Sequence, residues 1–147
     1  MKEHKIMNCL ELRLENLVYN KHGEIHSIRP NDFYHWNQPK MDMDYGFHGI
    51  HLTPEILEKA GFYQLPHFTV QNLWNKELGR GRFLSIACAG TPNEMVFITE
   101  EDAPKVKNII VARNYDYDGK TYLHQIQNLY FALTGEELNT EKINNYE

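Results

Sequence analysis

Arg82-Phe83-Leu84-Ser85-Ile86-Ala87, then Gly90-Thr91-Pro92-Asn93, then Met95-Val96-Phe97-Ile98-Thr99, is the stretch that sets the fold class. Two runs rich in β-branched and aromatic side chains flank a Gly/Pro/Asn cluster, the pattern of paired strands and a short connection. The same rhythm continues outward on both sides. Upstream, Phe68-Thr69-Val70-Gln71-Asn72-Leu73-Trp74 reads as a strand, and Asn75 to Gly81 as a polar turn holding two glycines. Downstream, after Glu100 to Pro104, Val106-Lys107-Asn108-Ile109-Ile110-Val111 reads as another strand. Turn signals about every 8–12 residues between short β-rich runs predict an antiparallel β-meander.

Helix signals bracket the meander. Thr53 is a good N-cap, Pro54 sits where its missing donor costs nothing, and Glu55 suits the first turn. Ile56, Leu57 and Ala60 form an apolar stripe and Gly61 a left-handed stop, which predicts a helix over 53–60. Near the other end Leu123, Ile126, Leu129, Tyr130 and Leu133 recur at spacings of three and four, predicting an amphipathic helix over 122–134 that Gly135 closes. Its opposite face, His124, Gln125, Gln127 and Asn128, is polar and nearly uncharged. At the N-terminal side, Leu10 to Tyr19 alternates apolar and polar until it slips phase at Asn16, the mark of a half-buried strand with a bulge. Asn20-Lys21-His22-Gly23 turns it back into Glu24-Ile25-His26-Ser27-Ile28. The expected fold is one α+β domain over 1–147, a mostly antiparallel meander sheet with an internal and a C-terminal helix. Residues 1–9 and 136–147 are expected to be mobile ends, with Leu138, Ile143 and Tyr146 as the tail's apolar anchors.

Composition narrows the function classes. Fifteen Lys+Arg against twenty Asp+Glu give a net charge of −5, which opposes binding to nucleic acid through phosphates. Lys105, Lys107 and Arg113 make only a small basic patch. Two cysteines, Cys9 and Cys88, cannot build a disulfide framework or a zinc knuckle. Glu3, Lys5, Asn8 and Glu11 interrupt any secretory apolar run, and the longest aliphatic stretch is Ile109-Ile110-Val111-Ala112. A cytoplasmic chain with reduced thiols and no membrane association is therefore expected.

The closing helix carries a resemblance. Tyr122-Leu123-His124-Gln125-Ile126-Gln127-Asn128-Leu129-Tyr130-Phe131-Ala132-Leu133-Thr134-Gly135-Glu136-Glu137-Leu138 is similar to the last segment of a group of small uncharacterised proteins common in Bacteroidetes genomes and their prophages. Leu12-Arg13-Leu14-Glu15-Asn16-Leu17-Val18 resembles the opening strand of that group, and Ile50 to Phe62 its internal helix. The resemblance implies a compact α+β domain and brings no catalytic residues with it. One departure is Glu15, where the group's pattern has Gly: a glycine could take positive φ there, and Glu resists it.

Several clusters could carry chemistry. Asn114-Tyr115-Asp116-Tyr117-Asp118-Gly119, with Gln125 at the twelfth position, has the oxygen spacing of a calcium loop, though Gln replaces the usual Glu and a polar hairpin turn explains the same residues. His48 and His51, with Asp42 and Asp44 nearby, are the donor types of a transition-metal set but lack the helical spacing that makes two imidazoles converge. Gly79-Arg80-Gly81-Arg82 reads as a hairpin tip, since no P-loop lysine or helix follows. No nucleophile elbow is present, and Cys88 lies in an apolar run. Phe33, Tyr34, His35 and Trp36 form an aromatic cluster suited to docking a partner. With no catalytic constellation and no cofactor expected, the leading reading is a non-enzymatic binding module that engages a protein partner or itself. The alternative is a metal-dependent enzyme using His48, His51, Asp42 and Asp44.

Overall fold

The computed structural model describes residues 12–32, 47–64, 73–100, 109–112 and 121–144. Its strands are β1 (Leu17–Tyr19), β2 (Ile25–Ser27), β3 (Leu73–Gly79), β4 (Arg82–Ala87), β5 (Met95–Glu100) and β6 (Ile109–Ala112). Among its helices are α1 (Pro54–Lys59), α2 (Leu123–Thr134) and α3 (Glu141–Asn144). The strands make two antiparallel sheets, β1-β2 and β3-β4-β5-β6 in sequential order, so the chain is an α+β fold with a meander.

β4 and β5 fall where the β-rich runs place them, paired from Arg82↔Glu100 to Ala87↔Met95. Both faces of β4 are covered. Leu84 and Ile86 enter the main core, while Phe83, Ser85 and Ala87 are buried on the other side. A polar row crosses that second face: Ser85 Oγ donates to Asn75 Oδ1 at 2.7 Å and lies 2.9 Å from Thr99 Oγ1. All three residues are buried and mutually satisfied, so the row costs little.

This row extends β3 beyond what its composition suggests. Asn75 to Leu78, read as turn, belongs to β3, and the turn is confined to Arg80-Gly81. Asn75 is polar yet buried, held by Ser85 and by the backbone of Tyr63, while Glu77 on the same strand is exposed. The tip itself has Arg80 at φ 57° and Gly81 at φ 71°, the left-handed pair that matches strand twist in a two-residue hairpin.

Helix α1 forms as its signals require: Thr53 Oγ1 accepts the Ile56 N–H at 3.2 Å, with Pro54 at the first turn. Helix α2 is closed by Gly135 at φ 76°, whose N–H donates to the Phe131 carbonyl at 2.7 Å. Its inward face differs from expectation. The buried residues are Leu123, His124, Ile126, Gln127 and Tyr130, while Leu133 is exposed. The helix is turned so that part of its polar face packs inside, where β1 supplies partners for Gln127 and Asn128 is bonded by Asn16. Beyond it, where a frayed end is expected, Leu138 and Ile143 are buried in the main core.

The first hairpin is shorter than its alternation suggests. β1 begins only at Leu17, because Asn16 N–H bonds back to the Arg13 carbonyl at 3.1 Å in a turn. Glu15 occupies this turn at φ 69°, the left-handed conformation that a glycine would take without strain. Leu17 points into the main core, and Val18 into a smaller cluster with Leu12, Ile28 and Phe47.

Candidate functional site

The hydrogen bonding of the β1-β2 hairpin defines the site. Val18 pairs with His26, Tyr19 with Ile25 and Leu17 with Ser27. Ile28 N–H donates to the Asn16 carbonyl at 2.9 Å and Asn20 N–H to the Glu24 carbonyl at 2.8 Å. In an antiparallel ladder bonded pairs alternate with non-bonded ones, so Val18 and His26 bond between strands, while Leu17, Tyr19, Ile25 and Ser27 turn their N–H and C=O outward.

On the β1 side both groups of Tyr19 and the N–H of Leu17 are met. Tyr19 exchanges two backbone bonds with His48, at 2.8 and 2.9 Å. Leu17 N–H donates to Gln127 Oε1 at 2.8 Å, and Gln127 Nε2 donates to the Glu15 carbonyl at 3.3 Å. Around this amide, Asn16 Nδ2 donates to Asn128 Oδ1 at 2.8 Å and Arg13 Nε to the same oxygen at 3.1 Å. Arg13 also forks onto the Glu137 carboxylate and lies 4.4 Å from the Phe131 ring centroid. On the β2 side, among the described residues, no hydrogen bond reaches the N–H or C=O of Ile25 or Ser27.

The open edge runs between two clefts. One, of about 620 Å³, has an apolar floor of Tyr19, Ile25, Ile56 and Ile143, with Glu24, Glu55 and Lys59 around it. The other, of about 440 Å³, lies past Ser27 and Arg29, with Glu15, Glu137 and Glu141 among its walls. The larger volume is in the range of small-ligand and peptide-anchor sites, roughly 300–1,000 Å³. Carboxylates outnumber cations in both clefts, so the edge sits in a negative field.

A second locus lies where His51 bridges to Tyr122 at the entrance of α2. The Tyr122 ring sits against Gly49, where a Cβ would come within 2.4 Å of it. Its ring centroid is 4.9 Å from that of His51 and 5.7 Å from that of His124. His124 is fully buried, and neither ring nitrogen has a hydrogen-bond partner. Burial pushes its pKa down from 6.5 to about 4, so the imidazole is neutral at pH 7. Close by, the buried Glu94 carboxylate ties the β4-β5 connection to α2, accepting the N–H of Gly90 at 2.7 Å and of Thr121 at 2.6 Å.

The residues singled out by sequence fall unevenly on this map. Phe33, Tyr34, His35, Trp36, Asp42 and Asp44 lie outside the described residues, as does the calcium-like run from Asn114 to Gly119. His48 and His51 are both half-buried but bridge to different segments, Tyr19 and Tyr122. Among the described residues, no group of three His, Cys, Asp or Glu side chains is placed to hold a metal. Gln125 is engaged in capping, its Oε1 accepting the Tyr122 N–H at 2.8 Å. Cys88 is half-buried beside Leu73, Ala87 and Phe97, just past the end of β4 at φ 54°.

Sequence reasoning missed three features. The open β2 edge depends on what does not pair with it, which no local pattern encodes. His124 belongs by spacing to the polar face of α2, and its burial is not encoded in that spacing. His26 Nε2 lies 2.9 Å from Asp32 Oδ2 with its ring stacked on Phe47 at 5.2 Å, and only the short separation of His26 and Asp32 hinted at it. Among the described residues no helix is long and apolar enough to cross a membrane. Comparison with protein-family models, curated proteins and solved structures gives no match to this chain.

Proposed function

We propose that this chain is a non-enzymatic interaction module, of mobile-element or phage type, that holds a protein partner through the outer edge of β2. The observation that carries the reading is the outward backbone of Ile25 and Ser27, which among the described residues takes no hydrogen bond and is set between two clefts. An extended segment laid along such an edge gains main-chain hydrogen bonds, and flanking pockets select its side chains. The edge is short, so affinity must come from the clefts as well as from the backbone.

The experiment is capture from the native host with a tagged chain, run beside Ser27→Pro. Proline removes a donor that points away from the ladder, so the hairpin keeps its own bonds. A stoichiometric protein on the wild-type chain that is lost from a folded Ser27→Pro variant supports the reading. An unaccompanied wild-type chain, or equal capture by both, contradicts it.

A further inference from the structure

Resting on that reading of β2, we infer that the segment it receives is extended and cationic, with an aliphatic side chain seated between the hairpin and α1. Two independent features of the edge fix this chemistry.

The first is shape. Ile25 lies at the edge and also lines the larger cleft, whose floor continues through Tyr19, Ile56 and Ile143. A strand added beside Ile25 projects alternate side chains to the same face as Ile25 itself. One of them therefore lands over that floor, and burying an aliphatic group there removes apolar surface from water.

The second is charge. Glu24 and Glu55 stand at one end of the edge and Glu15 and Glu141 at the other, with Lys59 and Arg29 as the cations lining the two clefts. Glu15, Glu24, Glu55 and Glu141 are all exposed, so their effect is a field that raises the local concentration of cations rather than a set of fixed ion pairs. Lysine or arginine side chains on the added strand are drawn by this field without pairing to a fixed carboxylate. The same field selects against a second copy. Pairing β2 with β2 would press two sets of these carboxylates together, on chains that each carry a net charge of −5.

The test is an amide-resolved NMR titration of the full chain with a capped hexapeptide alternating isoleucine and lysine. A hexapeptide alternating isoleucine and glutamate is the control. We expect saturable shifts at the Ile25 and Ser27 amides with the lysine peptide, slower hydrogen exchange at both, and weakening as salt is added. Glu24→Lys combined with Glu55→Lys, both at exposed positions, is expected to weaken binding about tenfold without altering the fold. Equal binding of the glutamate peptide overturns the inference, as does lysine-peptide binding that leaves Ile25 and Ser27 unmoved. No binding of the lysine peptide at millimolar concentration overturns it too. Concentration-dependent dimerisation that slows exchange at these two amides overturns it in favour of a second copy. Host capture that is lost in Ser27→Pro while the lysine peptide fails to bind removes the inferred chemistry and leaves the edge reading intact. Failure of that capture removes both.

Discussion

The two outer edges of one hairpin are finished in opposite ways. On β1, the backbone of His48 closes Tyr19 and the Gln127 amide closes Leu17. On β2, Ile25 and Ser27 face clefts with no such closure among the described residues. The far edge of the meander follows the β1 pattern, since Tyr63 exchanges two bonds with Asn75 of β3, at 2.8 and 2.9 Å. Strand edges are a pairing hazard that proteins usually blunt. The chain closes β1 with residues distant in sequence, and bridges β3 at Asn75. Among the described residues, the β2 edge at Ile25 and Ser27 carries no such bond, so a partner's backbone can bind there without displacing one.

The comparison breaks most visibly at Gln127. Replacing it with Leu keeps the volume but strands the Leu17 N–H and the Glu15 carbonyl, for a loss of about 2–4 kcal/mol. Urea unfolding measures this, and a loss below about 1 kcal/mol would mean that β1's closure is not structural.

His124 sharpens the contrast, because it is buried on the same helix and closes nothing. Its pKa is depressed in the fold, so the unfolded chain binds the proton first as pH drops below about 6.5. Stability from this group is therefore intact above that value and falls towards pH 4, by roughly 3 kcal/mol in all. His124→Leu should flatten that part of the pH–stability curve while changing stability at pH 7 by under about 1 kcal/mol. An unchanged acid limb would show that His124 is not the responsible group.

Smaller effects mark the start of β1. Glu15 holds φ 69° at the residue whose N–H bonds to Ile28, so Glu15→Gly should raise stability by up to about 1 kcal/mol. Thermal melts check the sign. Ser27→Pro should have the smallest effect, under about 1 kcal/mol, since its N–H is outside the ladder. A larger loss would mean that the β2 edge is bonded after all.

Much of the fold is legible in local pattern, and the exceptions share a cause. β4, β5, α1 and the span of α2 follow from residues that signal their state within a few positions. Asn75 reads as turn, and His124 and Gln127 as a polar face opposite the apolar stripe, because a buried polar residue is indistinguishable from an exposed one until its surroundings are known. The tail reads as a mobile end because its two buried anchors, Leu138 and Ile143, are widely spaced, and their partners lie far away in sequence. Of the site, the strand and its turn were readable, but an unpaired edge is a property of the whole fold.

The most direct test of the β2 edge is amide hydrogen exchange measured residue by residue, first on the chain alone and then on the captured complex. Fast exchange is expected at Ile25 and Ser27 in the free chain, slow exchange at Leu17, Val18, Tyr19 and His26, and protection of Ile25 and Ser27 once the partner is bound. Protection of both amides in the free chain, or none in the complex, would contradict a partner-binding β2 edge.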